Sequence, residues 1–179
     1  MNDQVTEKDR VVPDPSPSAA NPPAKPTIAV EVIATRDWDK GVHFLLRWEY
    51  PSGVWNSGPM VFATGDPDRK IEYDLIDQTG LGLAFENHVD DCIWVVDGPC
   101  PTANPGSGAD KGQIKDRTRA TDKKLKLKNV NDQTCNLHYA LRFKGASWSH
   151  PEGTGTKTFN PPYAYDPEYR NSGGGGSNT

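Results

Sequence analysis

No apolar run among the 179 residues approaches the roughly 18 that a membrane helix needs, and no stretch sustains a helical period. A helical bundle and a helical membrane anchor are therefore not expected. Cysteine is scarce. Cys92, Cys100 and Cys135 are an odd number that supplies no disulfide framework, so a small stapled scaffold is not expected either. The opening Met1 to Arg10 is polar and charged, without the basic-then-apolar character of a secretion signal, which gives the cytoplasm as the default compartment and the three thiols as reduced. Reactive signatures are missing too. The Gly106 to Gly112 stretch lacks the phosphate-loop pattern, and no segment fits the twelve-residue calcium loop. Ser149 next to His150 is no nucleophile and base, because neighbours on an extended chain point apart. No cofactor is expected, and catalysis is not the reading the residues favour.

What the chain does have is a proline-rich head, a glycine-rich end and a two-residue period between them. Six prolines from Pro13 to Pro26 favour solvated polyproline II with little to bury, so residues 1–27 read as a disordered tail. From Ile28 the period becomes two. Ile28, Val30 and Val32 share one face, and Val42, Phe44, Leu46, Trp48 and Tyr50 share another. Asp37 to Gly41 between them supplies turn chemistry, which predicts a hairpin.

Further short strands are expected over Lys70 to Ile76, Leu81 to Phe85, Cys92 to Val96, Lys123 to Asn129 and Leu137 to Phe143, with Asp97 to Gly112 as an exposed loop. Asn129 to Thr134 reads as the turn of a hairpin joining the last two of these strands. The fold expected is all-β, an antiparallel β-sandwich of about seven strands, immunoglobulin-like or similar. It would span residues 28–150, with 151–179 a Gly, Pro and Tyr-rich segment that is mostly irregular.

Charge is divided along the chain. Residues 66–97 hold nine acids against two bases, and residues 111–144 hold ten bases against three acids, within a net charge of −4. The period of two in Lys124-Leu125-Lys126-Leu127-Lys128 puts three ammonium groups on one face, and pairing with the following strand would add His138, Arg142 and Lys144. Such a basic strip suits an acidic protein, or the acidic face of a second copy. Nucleic acid is disfavoured by the acidic overall balance and the lack of a stacking motif.

The weak metal alternative is His88, Cys92, Cys135 and His138, whose local spacings are H-x3-C and C-x2-H; thiols without metal are the simpler expectation. Trp48 and Trp94 fall on apolar faces and read as core. Trp38, Trp55 and Trp148 fall in turn-like settings, where an indole could anchor a protein or stack on a sugar. The function expected is a non-catalytic protein interaction module, possible self-association through charged strand faces included. Its candidate contact residues are Lys124, Lys126, Lys128, Arg142, Trp38, Trp55 and Trp148. The alternative is a carbohydrate-binding sandwich or hydrolase using the loop Trp and Asp residues, a reading that three indoles open on one concave face with an acid between them would favour.

Overall fold

The computed structural model describes residues 27–63, 66–99, 101–106, 108–165 and 168–172. The expected tail 1–27 lies outside them except for Thr27, as do Cys100 and the Gly173 to Gly176 run.

Strand β1 (Thr27–Asp37) and strand β2 (Gly41–Glu49) form the expected antiparallel hairpin, with Val32 opposite Leu46 and Asp37 opposite Gly41. Its turn is closed by the Asp37 carboxylate, which accepts from the Asp39 and Lys40 N–H groups at 2.8 and 2.7 Å. The alternation is read out as burial: Ile28, Val30, Val32 and Ala34 go inward with Val42, Phe44 and Leu46. A three-residue β3 (Trp55–Ser57) flanks β2, and β4 (Met60–Ala63) departs to a second sheet.

Strand β5 (Arg69–Asp77) lies on the other side of β1 and runs parallel to it, Val30 beside Tyr73 and Val32 beside Leu75. Two later strands, β8 (Ile114–Thr121) and β9 (Lys124–Asn129), complete a six-stranded sheet of order β3-β2-β1-β5-β9-β8. The exposed edge, β8, is rich in charge and broken by register shifts between Lys115 and Thr118 and between Arg119 and Thr121. These features blunt edge-to-edge pairing.

The second sheet is organised on β10 (Cys135–Lys144). On one side of it lie β6 (Ala84–Phe85) and β7 (Ile93–Asp97), the latter entered from the single turn α1 (Val89–Cys92). On the other side lie β13 (Tyr163–Tyr165) and β14 (Glu168–Ser172), and β14 pairs in parallel with β4. A separate hairpin, β11 (Trp148–Glu152) and β12 (Gly155–Phe159), forms a two-stranded third sheet.

The result is an all-β sandwich. Its core joins both large sheets through ring contacts such as Phe44 stacked on Phe143 at 4.9 Å and Tyr73 edge-on to Tyr139 at 6.2 Å. Phe143 is fully buried between Phe44 and Phe85, and deleting its ring would cost about 3–5 kcal/mol.

Two expectations need correction. The strand Lys124–Asn129 does not pair with the strand holding Leu137 to Phe143; they belong to different sheets. Each carries an apolar face, and placing them in opposite layers sets Leu125 and Leu127 on one side of the core and Leu137, Tyr139 and Leu141 on the other, all buried. Asn129 to Thr134 is thus a crossover. Buried Gln113 fastens it, accepting from Val130 N–H through its backbone and from Asp132 N–H through its side chain. Nor is the segment after residue 150 mostly irregular: β12, β13 and β14 lie there, and β13 places Tyr163 in the core. Prolines and glycines between these short strands break the period into pieces too brief to read.

Candidate functional site

The three lysines of β9 project from one face, part-exposed and each met by an acid. Register sets Lys124 opposite Asp74 and Lys126 opposite Glu72, and ion pairs follow at 3.1 and 3.0 Å, with Lys128 on Asp68 at 2.7 Å. The hydrogen bond to Asp68 raises the pKa of the Lys128 ammonium above its usual value. The acidic and basic blocks therefore meet within one sheet of one chain. Arg142 is elsewhere, on β10 of the second sheet, with its guanidinium 3.9 Å from the centroid of the Trp94 ring. Trp94 is not core: alternation on β7 sends Ile93 and Val95 inward and leaves Trp94 on the outer face.

The metal alternative does not assemble. Cys92 is fully buried, with its Sγ 3.1 and 3.3 Å from the carbonyl oxygens of Glu86 and His88, so its one S–H has two acceptors in reach; burial pushes its pKa up to about 11. Cys135 and His138 both lie on β10, three residues apart, so Cys135 faces the core and His138 the other side. Among the described residues no three His, Cys, Asp or Glu side chains are grouped to hold a metal ion.

The three candidate indoles separate. Trp55 on β3 is 43% exposed and carries the Arg47 guanidinium over its ring at 4.8 Å. It pairs with Glu49 at the far end of β2, whereas Trp38 sits in the turn before Gly41, so about 27 Å of strand separates the two ends. Trp148 is buried on β11. Trp38 and Trp148 do come together, edge to face with centroids 5.6 Å apart.

That meeting is built by the β11–β12 hairpin docking on the β1–β2 turn. Register partners Trp148 and Phe159 stack at 5.2 Å, and His150, two residues along the same face, stacks on Phe159 at 5.9 Å. The Trp148 indole N–H donates to the Gly41 carbonyl at 3.1 Å, and His150 Nε2 lies 2.8 Å from the Trp38 carbonyl oxygen. Gly41 permits this approach: its φ is +86° and a Cβ there would stand 2.6 Å from a Phe159 ring carbon. The Arg36 guanidinium covers Trp148 at 5.4 Å, and Lys157 Nζ covers Phe159 at 5.2 Å. On this support Trp38 stands 65% exposed. A groove of about 180 Å³ runs between Lys40, Phe44, Phe159 and Tyr163, and Trp38 is not part of its lining.

A larger cleft of about 570 Å³ opens between β7, β8 and the loop that joins them. Two of its charged groups, Asp110 and Arg117, and the neighbouring Lys111 and Asp97 fasten the loop. Buried Asp110 accepts from Arg117 at 2.9 Å and from the Gly112 and Ile114 N–H groups, and Lys111 pairs with Asp97 at 2.5 Å.

Sequence reasoning missed Phe159 and Arg36, and it read Gly41 only as a turn residue and His150 only as no catalytic base, without the docking that joins them. A signal existed in the alternation Trp148, His150 set against Lys157, Phe159 around a Gly-containing turn, but it is two residues deep on each strand. No protein-family model matches the chain, and no curated protein matches it as a relative. What fold and site define is an all-β sandwich that presents one indole at the end where a third small sheet docks.

Proposed function

We propose that this chain is a non-catalytic binding module that meets another protein through Trp38. The observation that carries the reading is that Trp38 is 65% exposed while its ring and its carbonyl are both held, by Trp148 and by His150. A large aromatic held rigid in water loses little freedom on binding and has much apolar area left to bury, the profile of an interface anchor. Self-association through Lys124, Lys126 and Lys128 has less support, because each already pairs with a carboxylate of its own chain, on β5 or just before it. The sugar reading loses its motive in the same way, since Trp148 is buried and Trp55 lies at the opposite end of β2.

The test is a photo-crosslinking amino acid placed at position 38 and, as a control, at position 45, where Leu45 is 51% exposed on another face. A discrete protein adduct from position 38 and none from position 45 is the expected result. Equal capture from both positions, or none from either, overturns the reading.

A further inference from the structure

Both ring nitrogens of His150 face carbonyl oxygens. Nε2 is 2.8 Å from the oxygen of Trp38 and Nδ1 is 2.9 Å from the oxygen of Pro151. A neutral imidazole has one N–H and one lone pair, so it satisfies one of these contacts and turns the other into two acceptors held against each other. Only the imidazolium donates to both. The ring is also enclosed by three aromatic groups, Trp38 at 4.8 Å, Trp148 at 5.5 Å and Phe159 at 5.9 Å between centroids, all within the distance at which aromatic rings stabilise a cation. At 8% exposure His150 depends on these partners in place of water.

We propose that His150 is a proton-operated latch on the Trp38 surface. As the imidazolium it pins the β1–β2 turn to the β11–β12 hairpin, and loss of the Nε2 proton to solvent, which leaves the ring protonated at Nδ1 against the Pro151 carbonyl, removes the donor that holds the Trp38 carbonyl. The proposal rests on the reading that Trp38 is the contact residue, since otherwise the latch has no surface to regulate.

The charged groups on the elements packed at this end are Arg36, Asp37, Asp39, Lys40 and His43 on the β1–β2 hairpin, Glu152 on β11 and Lys157 on β12. The Lys40 and Asp39 N–H groups hold the Asp37 carboxyl below its usual range, so it stays charged wherever histidine titrates. Histidine side chains as a class change charge over roughly pH 5–8, and two stand at this end, His150 and the exposed His43, so a test has to tell them apart.

The experiment is side-chain 1H–15N NMR of the full chain across that interval, following the four histidine rings and the Trp38 indole N–H together. At low pH, His150 is expected to give the pattern of a ring protonated at both nitrogens, and the Trp38 resonance should move with the same midpoint as His150. In His150→Gln the movement is lost, and in His43→Gln it persists. A Trp38 signal that stays still while His150 titrates, or one that still moves in His150→Gln, overturns the latch. The wild-type titration decides the matter even where His150→Gln folds poorly. Failure of the binding reading is separate: a chain whose Trp38 follows His150 but whose position 38 captures no protein keeps the latch and loses its use.

Discussion

Gly41 lies so close to the face of Phe159 that a Cβ built on it would stand 2.6 Å from the ring. The contact joins the first hairpin of the chain to the last, and it is reinforced by the hydrogen bond from the Trp148 indole to the Gly41 carbonyl. Gly41→Ala meets both a left-handed backbone and this clash, so it is expected to lift β11–β12 from the turn and cost about 2 kcal/mol or more. Faster amide hydrogen exchange across residues 148–159, with β5 and β9 unchanged, is the measurement that checks it.

The two indoles that meet at 5.6 Å should behave in opposite ways. Trp38→Ala removes an exposed ring and is expected to change stability by less than about 1 kcal/mol. Trp148→Ala empties a buried site and is expected to cost about 3–5 kcal/mol. Urea unfolding of the two variants would separate them; equal losses would mean that Trp38 is part of the core and not a presented surface.

With Lys124, Lys126 and Lys128 already paired to acids of their own chain, the mass in solution is expected not to change with salt. Light scattering on size-exclusion fractions at low and high ionic strength checks this. Glu72→Lys sets like charges against Lys126 and is expected to lose up to about 1 kcal/mol, with the double variant Glu72→Lys, Lys126→Glu recovering part of it. A mass that falls with salt would return the charged faces to contention as an interface.

Acid should act through Asp77 and Asp97. Burial alone would raise Asp77, but hydrogen bonds from the Thr79 hydroxyl and N–H and from Leu83 N–H, with Lys123 nearby, bring it below its ordinary 3.8. The Lys111 ammonium does the same for Asp97. Carboxyls lowered in the folded state stabilise it above their unfolded value and lose that contribution as pH falls, so stability declines below about pH 4. Asp77→Asn is expected to flatten that decline and to cost about 1–3 kcal/mol near neutrality through donors left without a carboxylate.

Base should act through Tyr73 and Cys92. Burial holds the Tyr73 phenol far above its usual range and the Cys92 thiol up to about 11. Groups raised in the folded state contribute fully below their unfolded values, 9.0 for the thiol and 10.0 for the phenol, and the contribution is lost as pH rises. Stability is therefore expected to fall above about pH 9, and Tyr73→Phe to soften the upper part of the fall. Maleimide labelling at neutral pH should leave Cys92 unmodified until the chain unfolds.

The amino-acid sequence by itself determined what each long strand buries. In Ile28 to Ala34, Val42 to Leu46, Ile71 to Leu75 and Leu125 to Leu127, alternate side chains take opposite faces, so the buried set could be written down before any pairing was known. The first hairpin was legible as well, because Asp37 and Gly41 supply its turn within five residues. Which sheet a strand joins was not legible. Lys124–Asn129 and Cys135–Lys144 are adjacent in the chain and carry matching apolar faces, and a hairpin or two opposed layers would use those faces equally well. Only the packed core chose, by lining Leu125 and Leu127 against the second sheet and leaving β5 to pair with the lysines. The same holds at the candidate site, where Trp38 and His150 meet across 112 residues of chain. Alternation is a local property of one strand's two faces, whereas a partner is selected by the fit of all the faces at once, and that selection exists only in the folded molecule.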